Sequence, residues 1–205
     1  DKDEVALKRL ENDHPEIRTN QVDVSNESEV LGFFEDITSH FGKIDALINN
    51  AGVAGPSAML GDTSLEDWEK TIKVNLNGTF LCSKSAIPLL KKSGGGSIIN
   101  MGSTSSFMGT PLRSAHTASK WGLIGLTKTW AMEYGEDNIR VNTICPTFVV
   151  TPMTKKFLKD KKFKKNMLGN IALGRFAEMN EIASAVVFMA SDAASMITGT
   201  SLLID

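Results

Sequence analysis

The sequence predicts an α/β fold, in which a parallel sheet is covered by helices on both faces to form three layers. Two observations favour this class: short apolar runs alternate with helical stretches along the whole chain, and polar and glycine residues follow the apolar runs. Short, continuous apolar runs are typical of parallel strands that are buried on both faces. Because no repeat, low-complexity tract or linker interrupts the pattern, we predict a single domain over residues 1–205.

Caps and periodicity predict the elements of the first part of the chain. Apolar residues at helical spacing precede Pro15, which disfavours helix before it, and Asn26 is a typical N-cap of the next helix. Alternation of apolar and polar residues over 17–24 indicates a strand. The predicted elements are an exposed helix at 2–13, a strand at 17–24, a helix from Ser25–Asn26 to Gly42 and a buried strand at 45–49.

The remaining elements follow the same alternation. Thr63 and Ser64, with Glu66 three residues after Thr63, form a capping-box signature. Gly94–Gly96 interrupts the chain before a strand, and Pro146 closes another strand. The predicted elements are a helix at 65–90, a strand at 97–101, a helix at 117–134, a strand at 139–144, a basic helical stretch at 153–167, a helix at 178–190 and a strand at 201–204.

Composition excludes several classes of protein. Lys and Arg number 22 against 24 Asp and Glu, and 41% of residues are hydrophobic, so neither a disordered chain nor overall attraction to nucleic acid is indicated. The longest apolar stretch, at 182–190, is far shorter than the roughly 20 residues of a membrane span. Two cysteines, Cys82 and Cys145, suit neither a disulfide framework nor a four-thiolate zinc site, and no histidine has metal-ligand spacing, so we expect a reducing, cytoplasmic compartment and no metal.

Ligands of parallel α/β sheets bind at the carboxyl ends of strands, and the motifs of this chain lie at the predicted strand exits or on adjacent helices. The motifs are Asp23-Val24, Asn49-Asn50-Ala51-Gly52, Val74-Asn75-Leu76, Ser103 after Ile98-Ile99-Asn100, Ser119-Lys120, Arg140-Val141-Asn142, and Pro146 followed by Thr151-Pro152-Met153. In this order and spacing they resemble the short-chain dehydrogenase/reductase family over essentially the whole chain. The resemblance implies a Rossmann-like, doubly wound parallel sheet and hydride transfer between a nicotinamide cofactor and a secondary alcohol or ketone.

Hydride transfer to a carbonyl also requires a hydrogen-bond donor and a proton for the oxygen. The resemblance implies that Ser103 binds this oxygen, that Lys120 binds the nicotinamide ribose and lowers the pKa of the proton donor, and that Asn75 completes a water-mediated relay. Taken alone, each residue has an ordinary structural interpretation: Ser103 as a cap of the following turn, Lys120 as a solvated helix residue and Asn75 as an amide at a helix kink.

The proton-donor position departs from the family pattern. Four residues before Lys120 the family has tyrosine, whereas this chain has His116. Like-charge repulsion from Lys120 favours a neutral imidazole, which is a poor acid, and histidine reaches less far than tyrosine. We therefore expect turnover to be reduced or lost relative to a tyrosine form.

The resemblance also implies which residues contact the cofactor. They are Asp23 and Val24 at the adenine, Asn50, Ala51 and Gly52 near the adenine ribose, and Lys120, Val149 and Thr151 on the nicotinamide side. Thr147 stands where the family usually has glycine, which weakens the expectation for Val149. The glycine-rich phosphate turn of the family is absent, and we expect the chain to lack the first βαβ strands of the fold.

The cofactor and the class of activity stay open at this point. If Asp1 ends the second strand of the family fold, its carboxylate favours NAD over NADP. Two alternatives to an active oxidoreductase are a degenerate member that serves as a binding or assembly module and a truncated copy of an ordinary enzyme. The lysines at 155–165 indicate a lid over the substrate rather than a nucleic-acid or membrane patch, and the family commonly pairs the helices matching 65–90 and 117–134 in homodimers or homotetramers.

Overall fold

The computed structural model describes residues 1–151, 154 and 157–205, and it confirms the predicted α/β class. Four strands form one sheet in the order β1-β2-β3-β4, and all three pairings are parallel. The strands are β1 (Ala46–Asn49), β2 (Gly96–Met101), β3 (Ile139–Pro146) and β4 (Ser201–Ile204). The α-helices are α1 (Glu4–Asp13), α2 (Glu27–Phe41), α3 (Leu65–Ile72), α4 (Gly78–Lys92), α5 (Ser114–Glu133), α6 (Lys161–Leu168) and α7 (Met179–Ala190).

Helices cover both faces of the sheet. Because side chains alternate along each strand, the same strands bury apolar residues against the helices of either face. Ile98 and Val141 pack against α2, α4 and α5 on one face, whereas Ile99 and Ile144 pack against α7 on the other. This arrangement gives the three predicted layers. None of the helices in the described ranges has the length and apolar character needed to cross a bilayer.

The prediction of a strand at 17–24 is wrong. The segment is irregular, because a strand requires a neighbour, and none of the four described strands lies beside it. Its backbone instead meets the beginning of the chain, where the Val22 N–H donates to the Asp1 carbonyl at 3.0 Å. Arg18 forms an ion pair with Asp36 of α2, which holds the segment against that helix.

The predicted capping box before α3 is displaced by one residue. Ser64, not Thr63, caps the helix, and its Oγ accepts from the Asp67 N–H and donates to the Asp67 carboxylate. The Thr63 hydroxyl instead donates to the Met59 carbonyl and closes a short 3₁₀ turn. Glu66 is therefore in the first turn of α3 without the predicted reciprocal bond.

The predicted helix at 65–90 is interrupted by a π-helical turn at Lys73–Asn77, between α3 and α4. Such turns free backbone groups from the regular pattern and are frequent at functional sites. In the basic stretch, the regular helix is α6, which Asp160 caps. Met153, Lys155 and Lys156 of the predicted stretch lie outside the described residues.

A hydrogen-bonded row of polar side chains crosses the sheet beneath α4 and α5. Its members, which we call the polar row, are Asn49, Ser83, Asn100, Thr127 and Thr143, and all are buried. Asn49, Asn100 and Thr143 are register partners on β1, β2 and β3. Asn49 Nδ2 donates to Asn100 Oδ1 at 2.9 Å and Ser83 Oγ at 3.0 Å, while Asn100 Nδ2 donates to Thr127 Oγ1 at 2.9 Å. The Thr127 and Thr143 hydroxyls are 2.6 Å apart, so α5 is bonded to two strands at once.

Thr127→Val is expected to lower the free energy of unfolding by about 1–3 kcal/mol, because it leaves buried groups of Asn100 and Thr143 without their partner while keeping the side-chain shape. Chemical denaturation measures this change. Thr127→Ser, which keeps the hydroxyl, is expected to lower the free energy of unfolding by less than Thr127→Val does.

Thr129 supplies the matched control, since it is exposed on the same helix. Thr129→Val is expected to change stability by no more than about 0.5 kcal/mol. If Thr127→Val and Thr129→Val lowered the free energy of unfolding equally, the claim that the polar row stabilises the fold would be contradicted.

Candidate active site

The carboxyl ends of β2 and β3 bring a serine, a lysine and a cysteine together. Ser103 follows β2, Cys145 lies near the end of β3, and Lys120 reaches them from α5. The Lys120 ammonium donates to the Met101 carbonyl at 2.6 Å. The Cys145 thiol interacts with the Ser103 backbone, the Ser106 hydroxyl and Lys120.

Ser103 has the structural role that its sequence context suggests. Its Oγ accepts from the Ser105 N–H at 3.1 Å and caps the 3₁₀ turn Thr104–Ser106, while its own N–H donates to Ser106 Oγ. As an acceptor in this cap, the Ser103 hydroxyl keeps its proton for donation elsewhere. The capping role and the implied binding of a substrate oxygen are therefore compatible.

Lys120 is not a solvated helix residue, because its side chain is only 8% exposed. No ion pair in the described part of the chain includes it. Burial of the ammonium lowers the pKa of Lys120 to about 8, and only the interaction with Cys145 opposes this shift. A buried amine without a carboxylate is a candidate for chemistry.

His116 lies in the first turn of α5, one helical turn before Lys120, as the predicted spacing requires. Burial, and then the charges of Lys120 and Arg113, lower the pKa of His116 to about 4, and a hydrogen bond with the Val53 backbone partly offsets them. Its Nδ1 atom is buried and has no hydrogen-bond partner among the described residues. The imidazole is therefore neutral at pH 7.

Asn75 lies in the π-helical turn and fastens the loop after β1 to α5. Its Oδ1 accepts from the Val53 N–H at 2.8 Å, and its Nδ2 donates to the Val53 carbonyl at 3.0 Å and to Ser119 Oγ at 3.2 Å. The Ser119 hydroxyl in turn donates to the His116 carbonyl. The amide therefore orders the backbone on the His116 side of the site.

Arg113, which the sequence interpretation did not single out, holds the same loop from the start of α5. Its Nη1 donates to the carbonyls of Ala54, Gly55 and Pro56 at 3.4, 3.2 and 3.4 Å. Its neighbour Leu112 has a φ of 66°, a strained conformation for a bulky residue. No motif signals this contact, because the two segments are almost 60 residues apart in sequence.

Cys145 was also missed as a site residue, although its place directly before Pro146 at a strand end was a usable signal. Both cysteines are free and buried. A Cβ at Gly102 would lie 2.6 Å from Cys145 Sγ, so only glycine allows β2 to leave the sheet this close to β3.

The predicted cofactor contacts fall into two groups. Val24, Asn50 and Ala51 line a groove of about 220 Å³ beside β1. Val149 and Thr151 follow β3, with β2 lying between that strand and β1. Gly52 packs against Asn75, because a Cβ there would lie 3.3 Å from the Asn75 Oδ1.

The Asp23 carboxylate binds residues that are close to it in the structure, Lys2 and Ser25. It pairs with Lys2 at 2.5 Å and accepts from the Ser25 N–H and hydroxyl. The bonds from Lys2 and Ser25 lower the pKa of Asp23 to about 2, so the group is anionic at neutral pH. These contacts fix the turn that leads into α2.

Sequence comparison identifies relatives over most of the chain. The family described as enoyl-(acyl carrier protein) reductase matches residues 1–205. The chain is 39% identical over 184 residues to the 3-oxoacyl-[acyl-carrier-protein] reductase FabG of Thermotoga maritima, which covers 90% of this chain and 74% of that protein. It is 41% identical over 183 residues to the D-threitol dehydrogenase of Mycolicibacterium smegmatis, covering 89% of this chain and 70% of that protein.

Comparison of structures agrees with the sequence comparison. A crystal structure of NAD⁺-bound xylitol dehydrogenase superposes with a TM-score of 0.94 and 30% identity, and the match covers 100% of this chain and 85% of that chain. A crystal structure of levodione reductase matches with a TM-score of 0.87 and 31% identity over 98% of this chain. With its fold, its motifs and these relatives in agreement, this chain belongs to the short-chain dehydrogenase/reductase family.

Proposed function

We propose that the protein is an NAD(P)-dependent oxidoreductase that interconverts a secondary alcohol and a ketone by hydride transfer. The observation that carries the proposal is the placement of the Ser103 hydroxyl directly after β2 and of the buried Lys120 ammonium on the Met101 carbonyl at the end of the same strand. Ser103 would hold the substrate oxygen, and Lys120 would stabilise negative charge as it develops there. The names of the relatives, which are reductases and dehydrogenases, support the same class of reaction.

The chemistry of the site fits a nicotinamide cofactor. The Lys120 amine is buried and has no carboxylate partner among the described residues, which suits the hydroxyl groups of a ribose. The groove beside β1 is lined in part by Val24, Asn50 and Ala51, three of the residues that the family resemblance implies. Lys120, Val149 and Thr151 would hold the nicotinamide side, and Asp23 and Gly52 would act near the groove. When bound, the cofactor supplies the hydride to the substrate carbon or accepts it.

We propose NAD rather than NADP as the preferred cofactor. Asp1 lies beside the segment that leads to Asp23, since its carbonyl accepts from Val22 and its amino group donates to the Asn20 carbonyl. The Asp1 carboxylate at this end of the molecule would repel a 2′-phosphate more than a pair of ribose hydroxyls.

A second candidate function is that of a binding or assembly module without turnover. The neutral state of His116, at the position where the family has tyrosine, favours it.

We also propose a homodimer or homotetramer in the cytoplasm. Large apolar side chains on the helices that the family pairs across subunits, among them Leu65, Phe80 and Trp121, are between 46% and 70% exposed, which is typical of a surface that a second copy covers. Sedimentation velocity distinguishes such an oligomer from a monomer. The predicted lid role of the lysine-rich segment stays a prediction.

Saturable binding of NADH is the expected result of a fluorescence titration, because enclosure of the nicotinamide ring enhances its emission. NADPH is expected to bind more weakly. Lack of saturation with either cofactor at millimolar concentration would overturn the proposed function. Binding without oxidation of NADH by any of a panel of ketones would favour the binding module.

His116→Tyr is expected to raise kcat for ketone reduction by about 10- to 100-fold, because a phenol beside a lysine ammonium is a better proton donor than a neutral imidazole. Steady-state kinetics at saturating NADH measure the change. His116→Phe is the matched control, since it adds a similar ring without the hydroxyl. Equal rates for the tyrosine and phenylalanine variants would contradict the expected impairment.

A further inference from the structure

Ser106 lies in the 3₁₀ turn after β2 and is only 1% exposed, yet it bonds to two of the segments that form the candidate site. Its Oγ accepts from the Ser103 N–H at 3.2 Å and donates to the Lys120 carbonyl at 3.0 Å. The Cys145 thiol on β3 interacts with the same hydroxyl. One buried oxygen therefore joins the turn after β2, the helix α5 and the strand β3.

The bond to Ser103 alone has an ordinary structural explanation. Ser103 and Ser106 form a capping box, in which each side chain accepts from a backbone N–H of the same short turn. The bond from the Ser106 hydroxyl to α5 is not part of that cap. It joins residues that are 14 positions apart in sequence, and it uses the proton that the cap leaves over.

Lys120 is joined to the chain on both sides of Ser103. Its ammonium donates to the carbonyl of Met101, which precedes Ser103. Its backbone carbonyl accepts from the hydroxyl of Ser106, which follows Ser103. A carbonyl oxygen has two lone pairs, so this bond does not displace the hydrogen bond within α5. The two bonds enclose Ser103 in a ring that a single residue of α5 closes.

The two bonds of this ring differ in what competes for them. In the proposed function the Lys120 ammonium also binds the nicotinamide ribose, so its N–H groups are divided between the ribose and the Met101 carbonyl. The bond from Ser106 reaches the Lys120 backbone instead, which no ligand contacts in the proposed function. It can therefore hold α5 to the turn at Ser103 whether or not the cofactor is bound.

We infer that Ser106 is a positioning residue for hydride transfer, because it sets the separation between Ser103, which holds the substrate oxygen, and Lys120, which holds the ribose. The inference rests on the proposed function. Hydride transfer requires the reacting atoms to approach within about 3–3.5 Å, so the groups that hold the two reactants have to keep a fixed separation. Ser106 is buried and acts through the backbone of its two partners.

Ser106→Ala is expected to lower kcat for ketone reduction by about 10- to 100-fold and to leave the Kd of NADH within about threefold of that of the unmodified protein. Each holding group still binds its own partner in this variant, and only their relative placement is lost. Steady-state kinetics at saturating NADH and a fluorescence titration measure the two quantities. The kinetics are measured both in the unmodified protein and in His116→Tyr.

Ser97→Ala is the matched control. Ser97 is also fully buried, and its Oγ donates to a helix carbonyl, that of Met189 in α7, at 3.1 Å. It lies near the amino end of β2, whereas the candidate site lies at the carboxyl end. Denaturation is expected to show that both alanine variants lose stability, whereas kcat of Ser97→Ala stays within about threefold of that of the unmodified protein. Equal losses of kcat in the two variants would overturn the inference.

Hydrogen exchange tests the bond itself, without turnover and without a variant. The Ser103 amide is expected to exchange at least about 100-fold more slowly than the amide of Gly109, an exposed residue of the loop that follows the same strand. Similar exchange rates for the two amides would overturn the inference, because the bond from Ser103 to Ser106 would then be open for much of the time.

The outcomes distinguish the inference from the proposed function. Absence of saturable NADH binding by the unmodified protein overturns the proposed function and, with it, the inference. NADH binding with turnover, and with kcat of Ser106→Ala within about threefold of that of the unmodified protein, overturns the inference alone. NADH binding without turnover in both the unmodified protein and His116→Tyr overturns the inference as well and favours the binding module.

Discussion

The polar row holds α5 against the sheet, and the arrangement of the site depends on that attachment. Thr127 is bonded to Asn100 of β2 and to Thr143 of β3 deep in the interior, where unpaired polar groups are costly. Lys120 lies two helical turns before Thr127, and Met101, whose carbonyl it binds, directly follows Asn100. The bonds in the interior therefore determine which carbonyl the lysine reaches. Purely apolar contacts would hold the helix with less directional specificity.

The sequence was sufficient to predict the strands that consist of a short apolar run, because a short run that is buried on both faces is typical of a parallel strand. It failed at 17–24, where alternation indicated a strand but pairing requires a neighbouring strand that no local pattern reveals. It also could not choose between Thr63 and Ser64 as the helix cap, since both are good caps and the choice depends on the preceding 3₁₀ turn. Local periodicity likewise did not predict the π-helical turn around Asn75.

The candidate site was predictable in part. Ordered motifs indicated Ser103, Asn75 and Lys120, and the structure adds what each of them contacts. The roles of Arg113 and Cys145 depend on contacts between distant segments, which sequence spacing does not report. The electrostatics of the site follow from burial. Lys120 and His116 are neighbouring basic groups with no carboxylate against them in the described part of the chain, so both have lowered pKa values, and the more basic lysine keeps the proton.

The most direct test of the central claim is hydrogen exchange of the Asn100 side-chain amide, followed by NMR. If the polar row is the rigid part that orders the site, the Nδ2 protons exchange only on global unfolding, and their exchange free energy equals the free energy of unfolding from denaturation. Exchange as fast as that of the exposed Asn166 side chain would contradict the claim, because it would show that the row opens without unfolding of the chain.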